Sequence, residues 1–190
     1  MTLRVSGGRR LQSPPGSTAR PTAARVRLAV MNLLAAEIPG CRWLDLCCGS
    51  GVMACEALQR GAAQVVAVER DRRIAAVARA NLEVVRGSRL ASQDKAAPCC
   101  QVACDDVLRW LSRTSASPFD LIYVDPPYAA GLYLPIAAAV LKGVWLAPGG
   151  IQVWECASDA VPEVPPPWTI RALRRYGETT VVLLEADRET

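Results

Sequence analysis

Four consecutive residues, Asp125, Pro126, Pro127 and Tyr128, combine an acid, a rigid turn and an aromatic ring. They follow an apolar run, 119–124, which predicts a buried strand. Because two successive prolines donate no backbone hydrogen bond and disfavour helix before them, the chain should leave the sheet in a stiff, extended loop. Open α/β sheets bind ligands at the carboxyl ends of their strands. The loop therefore predicts a functional site, although an ordinary acidic turn after a strand has the same residue pattern.

The chemistry that suits this loop is group transfer to an exocyclic amine on a flat base. The Asp125 carboxylate or the Pro126 carbonyl can accept hydrogen bonds from such an amine, and the Tyr128 ring can stack on the base. Other parts of the chain must then supply the group that is transferred.

A glycine-rich turn, residues 47–51, follows a predicted strand over 41–46 and precedes a predicted helix. Gly49 and Gly51 allow the backbone to approach a ligand closely. The spacing is neither that of the phosphate-binding GxGxxG turn nor that of a P-loop, since no Gly-Lys-Ser/Thr is present. The turn predicts a cofactor site that does not bind phosphate.

Three carboxylates should lie near this turn, at the ends of successive strands. Asp45 precedes the turn, where it would repel a pyrophosphate but can bind an ammonium group directly or through water. Glu69 ends the second strand and can accept from both hydroxyls of a ribose, and Asp106 follows the third and can accept from an adenine amine. S-adenosylmethionine, a nucleoside with a cationic amino-acid tail, fits this set. A nicotinamide dinucleotide is the alternative.

The segments between these motifs alternate between strand-like and helix-like patterns, which predicts an α/β fold with a parallel sheet. Gly177–Glu178 predicts the turn of a closing hairpin that adds one antiparallel strand. The predicted strands are 41–46, 64–69, 99–104, 119–124, 151–155, 169–176 and 179–185, and a short hairpin is expected over 3–11. The predicted helices are 20–38, 52–60, 72–85, a short one from 105–106 onward, and 132–141.

Composition excludes several classes of function. The 190 residues, 51% of them hydrophobic, suit one domain with a sizeable core. No apolar run has the roughly 18 residues of a membrane span, and no signal segment is recognised, so a cytoplasmic protein without membrane contact is expected. The chain has eight cysteines, no CxxC pair and no histidine, which argues against a metal site and excludes Ser-His or Cys-His nucleophilic catalysis. The cysteines are expected to be small buried apolar side chains in a reducing compartment.

The first 36 residues carry arginines but no acid. The planar guanidinium suits bidentate contacts with phosphates and stacking on bases, so this segment predicts a nucleic-acid surface, with a solvated basic tail as the alternative. The six arginines are Arg4, Arg9, Arg10, Arg20, Arg25 and Arg27.

These motifs together resemble those of the RsmD-type methyltransferases, which methylate the exocyclic N2 of a guanosine in small-subunit (16S) ribosomal RNA. The resemblance covers nearly the whole chain. Asp-Pro-Pro-Tyr alone is shared with many amino-methyltransferases, whereas its combination with the amino-terminal block is far more specific. The matching segments are 4–8, 20–22, 25–27, Asn32, 45–51, 56–58, 60–62, Glu69, Asn81, 125–128, Gly143 and 146–150.

The resemblance implies a Rossmann-like, seven-stranded class I S-adenosylmethionine-dependent methyltransferase fold, mostly parallel with an antiparallel C-terminal hairpin. It implies a basic RNA-binding extension of hairpin and helix over 1–38, a methyltransferase domain over 39–190, and a monomer acting on 16S rRNA or an assembling small subunit. Catalysis is expected at residues 125–128. The residues implied to hold S-adenosylmethionine are Asp45, Cys47, Gly49, Ser50, Gly51, Glu69, Arg70 and Asp106.

The sequence departs from this family at two places that affect the site. Cys47-Cys48 stands where Phe-Ala is usual, which removes an aromatic contact beside the cofactor. The pair Asp105-Asp106 leaves open which acid contacts adenine, with Asp106 matching the family spacing better. Two other functions remain alternatives. An amino-methyltransferase for DNA adenine, DNA cytosine or another RNA would need a target-recognition domain for which 190 residues leave no room. A non-catalytic RNA-binding module is disfavoured by the intact motifs.

Overall fold

The computed structural model describes residues 3–14, 24–91, 98–115 and 117–186. One seven-stranded sheet forms the centre of the molecule, and its strands are ordered β3-β2-β1-β4-β5-β7-β6. The strands are β1 (Arg42–Leu46), β2 (Gln64–Glu69), β3 (Cys99–Cys104), β4 (Phe119–Val124), β5 (Leu146–Ala157), β6 (Trp168–Tyr176) and β7 (Thr179–Ala186).

Helices cover both faces of this sheet, each over its own apolar core. The first core lies under α1 (Ala24–Leu33), α2 (Val52–Gln59) and α3 (Arg72–Ala91), and the second under α4 (Val107–Leu111) and α5 (Tyr133–Lys142). Alternate residues of the central strands supply the two cores, because successive side chains of a strand point to opposite faces. None of the helices in the described part of the chain has both the length and the apolar composition needed to cross a membrane.

Strands β1 to β5 are parallel, and β7 runs antiparallel to both β5 and β6. This topology confirms the predicted mostly parallel sheet with an antiparallel hairpin. Strands β2 and β3 are added on one side of β1, and β4 and the later strands on the other side. The order therefore reverses between β1 and β4, which pair directly. Such a switch point opens a crevice at the carboxyl edge of the sheet, the edge at which the parallel strands end. The glycine turn and the Asp125 loop both lie there.

Two elements differ from the sequence prediction. Helix α3 continues to Ala91, beyond the predicted end at residue 85, because a helix needs no apolar residues on the face that it turns to solvent. Strand β5 begins at Leu146, before the predicted start at residue 151. Its Pro-Gly-Gly segment lies within the strand, as an irregularity of pairing where Phe119 pairs with Leu146 but Leu121 pairs with Ile151.

The amino-terminal segment folds back on itself and packs on the domain. An antiparallel bridge joins Arg4 to Arg10, and Leu11 N donates to Leu3 O at 2.9 Å, as the predicted hairpin requires. Val5 and Leu11 are buried in the first core. Helix α1 is described from Ala24 onward, so the predicted helix start at residues 20–22 lies outside the described residues.

The eight cysteines are free, and only half of them are buried, which partly corrects the prediction. Cys41, Cys48, Cys55 and Cys156 lie in the interior. Cys99 and Cys104 are exposed because β3 is an edge strand with one uncovered side. Among the described residues, no three potential ligand side chains lie together as a metal ion would need.

Candidate active site

The loops that follow β1 and β4 lie side by side at the carboxyl edge. Asp125 N donates to Leu46 O at 3.4 Å, which links the start of the Asp-Pro-Pro-Tyr loop to the end of β1. Along the loop, Asp125 is half-buried, Pro126 is buried, and Pro127 and Tyr128 are exposed. Tyr128 begins a single 3₁₀ turn, Tyr128–Ala130, and its ring is 41% exposed. An acid and an accessible ring are therefore presented together.

The glycine turn has a backbone that few other residues adopt. Gly49 and Gly51 have φ of +53° and +72°, and Cys47 has φ of +62°. A Cβ on Gly51 would lie 3.1 Å from Ala78 Cβ in α3, so glycine is required there both by conformation and by space. Gly51 N donates to Cys48 O at 2.8 Å, which closes the turn. Residues 47–51 thus form a tight, fixed loop at the start of α2.

Glu69 connects the glycine turn to the next loop of the edge. Its Oε2 accepts from Gly49 N at 3.0 Å, and its Oε1 accepts from Asp71 N at 2.9 Å. Arg70, which lies between Glu69 and Asp71 in the chain, is exposed. The half-exposed Glu69 carboxylate is held beside the glycine turn, in a position where a ligand's hydroxyl groups can reach it.

Asp45 lies beneath the glycine turn instead of lining its surface. Its side chain is buried, and Oδ2 accepts from Ala54 N in the first turn of α2 at 3.0 Å. Burial raises the pKa of Asp45 to about 8, and the nearby carboxylates of Glu69 and Glu155 raise it further against the opposing Ala54 hydrogen bond. The carboxyl group consequently holds a proton at neutral pH until a cation is placed near it. Any contact with a ligand's ammonium group has to be made from this buried position.

The raised pKa makes a testable prediction for Asp45→Asn. The native wild type keeps a proton that the unfolded chain releases above its ordinary pKa of 3.8. Wild-type stability should therefore fall as pH rises from about 4 to about 8, and this loss should be absent in the variant. At pH 8 the ligand-free variant should be more stable by about 1 kcal/mol or more, measured by urea unfolding at pH 5 and pH 8. The same pH dependence in both proteins would contradict the raised pKa.

Four acidic side chains meet at this edge, and those that are ionised give it a negative potential while Asp45 is protonated. Burial raises the pKa of the Cys47 thiol to about 12, with further contributions from Glu69, Asp125 and Asp45. Burial likewise raises the pKa of Tyr123, with Glu155 and Asp125 adding to it. Such a field favours a cationic ligand and disfavours a pyrophosphate, so the glycine turn, the Glu69 carboxylate and the buried Asp45 fit S-adenosylmethionine better than a dinucleotide.

Glu155 is the member of this group that the sequence prediction missed. It lies near the end of the buried part of β5, is 4% exposed, and accepts a short hydrogen bond from the Tyr123 hydroxyl. Tyr133 of α5 donates to the Glu155 carbonyl at 2.5 Å. An acid inside the apolar run 151–156 was the available signal, since a carboxylate is rarely buried there without a role.

The two acids after β3, Asp105 and Asp106, bind different partners. Asp106 caps α4, since its Oδ1 accepts from Leu108 N and Arg109 N, both at 3.0 Å. Asp105 forms ion pairs with Arg109 and with Arg113, the latter at 3.1 Å. Asp106 is the more exposed of the two and carries no such pair among the described residues, and its assignment as the adenine contact stays a prediction.

The amino-terminal arginines do not share one role. Arg27 is buried, its Nε lies 2.9 Å from Glu56 Oε1, and its Nη2 donates to Arg4 O at 2.7 Å, so it anchors the extension and cannot serve an RNA phosphate. This corrects the prediction for Arg27. Arg4, Arg10 and Arg25 are exposed. Arg9 is half-buried and donates to Gln59 Oε1 at 3.0 Å, and Arg20 lies outside the described residues.

Asn81 links the extension to the glycine turn. This α3 side chain is 1% exposed, and its Nδ2 donates to Ser50 O at 2.9 Å and to Gln12 O at 3.0 Å. Its Oδ1 accepts from Gln12 N at 2.7 Å. One buried amide thus fixes the backbone of the extension against that of the turn. The sequence comparison with RsmD-type proteins included Asn81 without a role, because no local pattern indicates a contact across the fold.

We expect Asn81→Ala to lower the free energy of unfolding by about 1–3 kcal/mol, because three part-buried hydrogen bonds to the backbone of Ser50 and Gln12 are lost. Urea denaturation measures the change. The matched control is Gln12→Ala, which removes an exposed side chain and keeps the Gln12 backbone groups that Asn81 binds. Equal stability of the two variants would show that the bridge contributes nothing.

Comparison with known proteins places this site in a family context. The family model described as conserved hypothetical protein 95 matches residues 4–185. The chain is 27% identical over 192 residues to ribosomal RNA small subunit methyltransferase D of Escherichia coli, covering 98% of this chain and 91% of that protein. It is 29% identical over 164 residues to the protein of the same name from Haemophilus influenzae, covering 86% and 81%.

Solved structures agree with the fold. The Escherichia coli protein yhhF, a candidate methyltransferase, superposes with a TM-score of 0.81 at 27% identity, over all of both chains. The rRNA methyltransferase aviRa of Streptomyces viridochromogenes superposes with a TM-score of 0.66 at 19% identity over 91% of this chain and 88% of its own, a likeness of fold alone.

Proposed function

Because the chain belongs to the family described as conserved hypothetical protein 95, we propose that it transfers a methyl group from S-adenosylmethionine to small-subunit ribosomal RNA. The acceptor we propose is the exocyclic N2 amine of a guanosine. The observation that carries the proposal is the meeting of two loops at the switch point, one built to hold a cationic nucleoside and the other to receive an amine. The full-length similarity to small subunit methyltransferase D supports the RNA substrate.

The residues of the glycine turn and its surrounding acids are proposed to hold S-adenosylmethionine. Gly49 and Gly51 give it close access to the backbone, Glu69 accepts from the ribose, and Asp106 accepts from the adenine amine. The buried Asp45 and its neighbouring acids compensate the positive charges of the ammonium group and the sulfonium. When bound, the cofactor supplies an activated methyl group on a sulfonium. Cys47, Ser50 and Arg70 complete the proposed contacts.

The Asp125 loop is proposed to position and polarise the amine. A guanine amine is a weak nucleophile because its lone pair is delocalised into the ring. The Asp125 carboxylate and the Pro126 carbonyl would each accept one amine hydrogen, which favours the tetrahedral nitrogen that develops during transfer. Pro127 stiffens the loop, and the exposed Tyr128 ring stacks on a base turned out of its helix. Orientation of this kind is worth about 7–11 kcal/mol in well-aligned systems.

Asp125 is also placed to take a proton once the methyl group has moved. Its carboxylate lies at the mouth of the site, half-exposed, so solvent can carry the proton away. The chain of events needs no nucleophile on the protein, which agrees with the absence of histidine. The residues therefore bind, align and deprotonate the substrate, and the protein forms no covalent bond with it.

The proposal is tested by methyl transfer in vitro. Purified protein and S-adenosylmethionine labelled in the methyl group are mixed with small-subunit rRNA transcribed in vitro and with isolated small subunits lacking the modification. Label in either RNA supports the proposal, and its distribution shows whether naked RNA or an assembled particle is the substrate. No label in either, with cofactor binding intact, would count against it. We propose a monomer that acts in the cytoplasm, where the RNA is processed.

A further inference from the structure

We infer that the tip of the β6–β7 hairpin and the start of α1 form a second RNA-backbone contact, centred on Arg25, Arg174 and Arg175. This inference rests on the proposed function, because it concerns how the RNA substrate of that site is held. The arginines of the hairpin come from a part of the chain that follows the catalytic motifs, far in sequence from the basic extension. Their position in the fold brings them to the same edge.

The hairpin tip lies at the carboxyl edge of the sheet. Ala157, at the end of β5, pairs with Thr179, and Thr179 pairs with Tyr176. Strand β7 is two places from β4 in the sheet order, and neighbouring strands lie about 4.8 Å apart. The tip is therefore displaced about 10 Å sideways from the end of β4, where Asp125 begins the catalytic loop, and it extends about 10 Å further in the strand direction, since Val124 pairs with Trp154 and the tip pairs with Ala157. An RNA strand that delivers a base to this loop has to pass nearby.

Within the described part of the chain, the arginines of β6 are ion-paired away from the tip but not at the tip. Arg171, away from the tip, is neutralised by Glu37 at 2.8 Å and by Glu185 at 3.3 Å. The guanidinium groups at the tip instead donate to backbone carbonyls, Arg174 Nη1 to Leu173 O at 2.9 Å and Arg175 Nε to Gly177 O at 3.2 Å. Neither forms an ion pair with another described residue, and both side chains are exposed. Their charge is left for an external anion.

The tip is continuous with the amino-terminal extension through α1. The exposed Arg25 guanidinium lies against Gly177, since a Cβ on that glycine would be 3.3 Å from Arg25 Nη2. Two residues later, Arg27 binds the backbone of Arg4. The exposed arginines thus follow one another from the extension, across the start of α1, to the hairpin. Arg174 pairs with Val181 of the first core and Arg175 with Thr180, so the two side chains lie on opposite faces of β6 and flank the tip.

The tip is also fixed in place, as a preorganised contact requires. Ser158 N donates to Glu178 O at 2.9 Å, and Ser158 Oγ donates to Gly177 O at 2.9 Å. These bonds tie the turn to the end of β5. Arginine forks on the two sides of a fixed hairpin suit separate phosphates of a strand that crosses its tip, because their planar geometry allows paired hydrogen bonds. The occupant that this charge, shape and position fit is a single RNA strand leaving the active site.

The experiment compares Arg174→Gln/Arg175→Gln with a matched control, Arg86→Gln/Lys142→Gln. The control removes the same charge from the later part of α3 and from the last residue of α5, both remote from the carboxyl edge. Affinity for a transcript of small-subunit rRNA is measured at several salt concentrations. Loss of two phosphate contacts should flatten the log–log salt dependence by about 1.4–1.8 in the hairpin variant, because each contact contributes about 0.7–0.9. The control should keep the wild-type slope.

A salt dependence equal to that of wild type in the hairpin variant would overturn the inference. Methyl transfer by the wild type is followed in parallel, so that the two claims fail separately. If the wild type transfers methyl groups but the hairpin variant keeps the wild-type salt dependence, the hairpin contact is wrong and the proposed function is unaffected. If the salt dependence is flatter in the hairpin variant but the wild type transfers no methyl group, the proposed function is wrong and the RNA contact is supported. Polyglutamate serves as a second probe, and if it competes with RNA for the tip as strongly as an unmodified rRNA transcript does, the preference for RNA is wrong.

Discussion

Asp125→Ala is expected to reduce methyl transfer by about 100-fold or more while leaving the affinity for S-adenosylmethionine nearly unchanged. The carboxylate begins the loop after β4, whereas the proposed cofactor contacts lie at the carboxyl ends of β1, β2 and β3 and in the loops after them. Positioned acid–base and hydrogen-bonding groups usually contribute about 100-fold to 10,000-fold to a rate. Single-turnover transfer to rRNA and calorimetric titration with the cofactor measure the two effects independently.

Two further variants distinguish chemistry from folding. Asp125→Asn keeps the shape and one acceptor oxygen, so its loss of rate should be smaller than that of the alanine variant. Glu163→Ala removes an exposed acid from the segment between β5 and β6, away from the hairpin tip, and should leave the rate unchanged. If Asp125→Ala weakened cofactor binding as strongly as it slowed transfer, the residue would belong to the cofactor site.

Glu69→Ala should weaken S-adenosylmethionine binding by about 1–3 kcal/mol, roughly 5-fold to 150-fold in the dissociation constant. The carboxylate is proposed to accept from the ribose hydroxyls, and it already accepts from Gly49 N and Asp71 N. Its removal therefore takes away a ligand contact and also loosens the glycine turn. Calorimetry at constant pH and salt measures the affinity.

A matched acid outside the site provides the comparison for this variant. Glu83→Ala removes an exposed carboxylate from α3 whose partner is Arg86, and it should leave cofactor affinity at the wild-type value. Glu69→Gln keeps an oxygen for Gly49 N and should fall between wild type and alanine. Unchanged affinity in Glu69→Ala would exclude the ribose contact.

The strands could be predicted from the sequence because buried parallel strands are short apolar runs bounded by turn residues. The runs 64–69, 99–104 and 119–124 match the observed strands at both ends. The failures lie where tertiary contacts override the local pattern. The Pro-Gly-Gly segment before residue 151 has the composition of a turn, yet pairing of Leu146 with Phe119 draws it into β5. Helix α3 likewise outlasts its apolar pattern.

The site was predictable in its motifs but not in its supports. Gly51 and Glu69 stand in local patterns with a recognisable physical reason, and the structure places them together in the crevice. Asn81 and Glu155 bind partners that are distant in sequence, so no spacing indicates these contacts, although an acid within the run 151–156 marks Glu155 as unusual. Arg27 was wrongly predicted to contact RNA. Its place in a basic segment gave no sign that the buried Glu56 neutralises it.

Identification of the methylated nucleoside tests the central claim most directly. Small-subunit rRNA is incubated with the protein and S-adenosylmethionine, digested to nucleosides, and separated by liquid chromatography with mass detection. The account predicts N2-methylguanosine, about one per RNA molecule at completion, absent without enzyme and strongly reduced with Asp125→Ala. Methylation of an adenine or cytosine amine, of a ring nitrogen or of a ribose would contradict it.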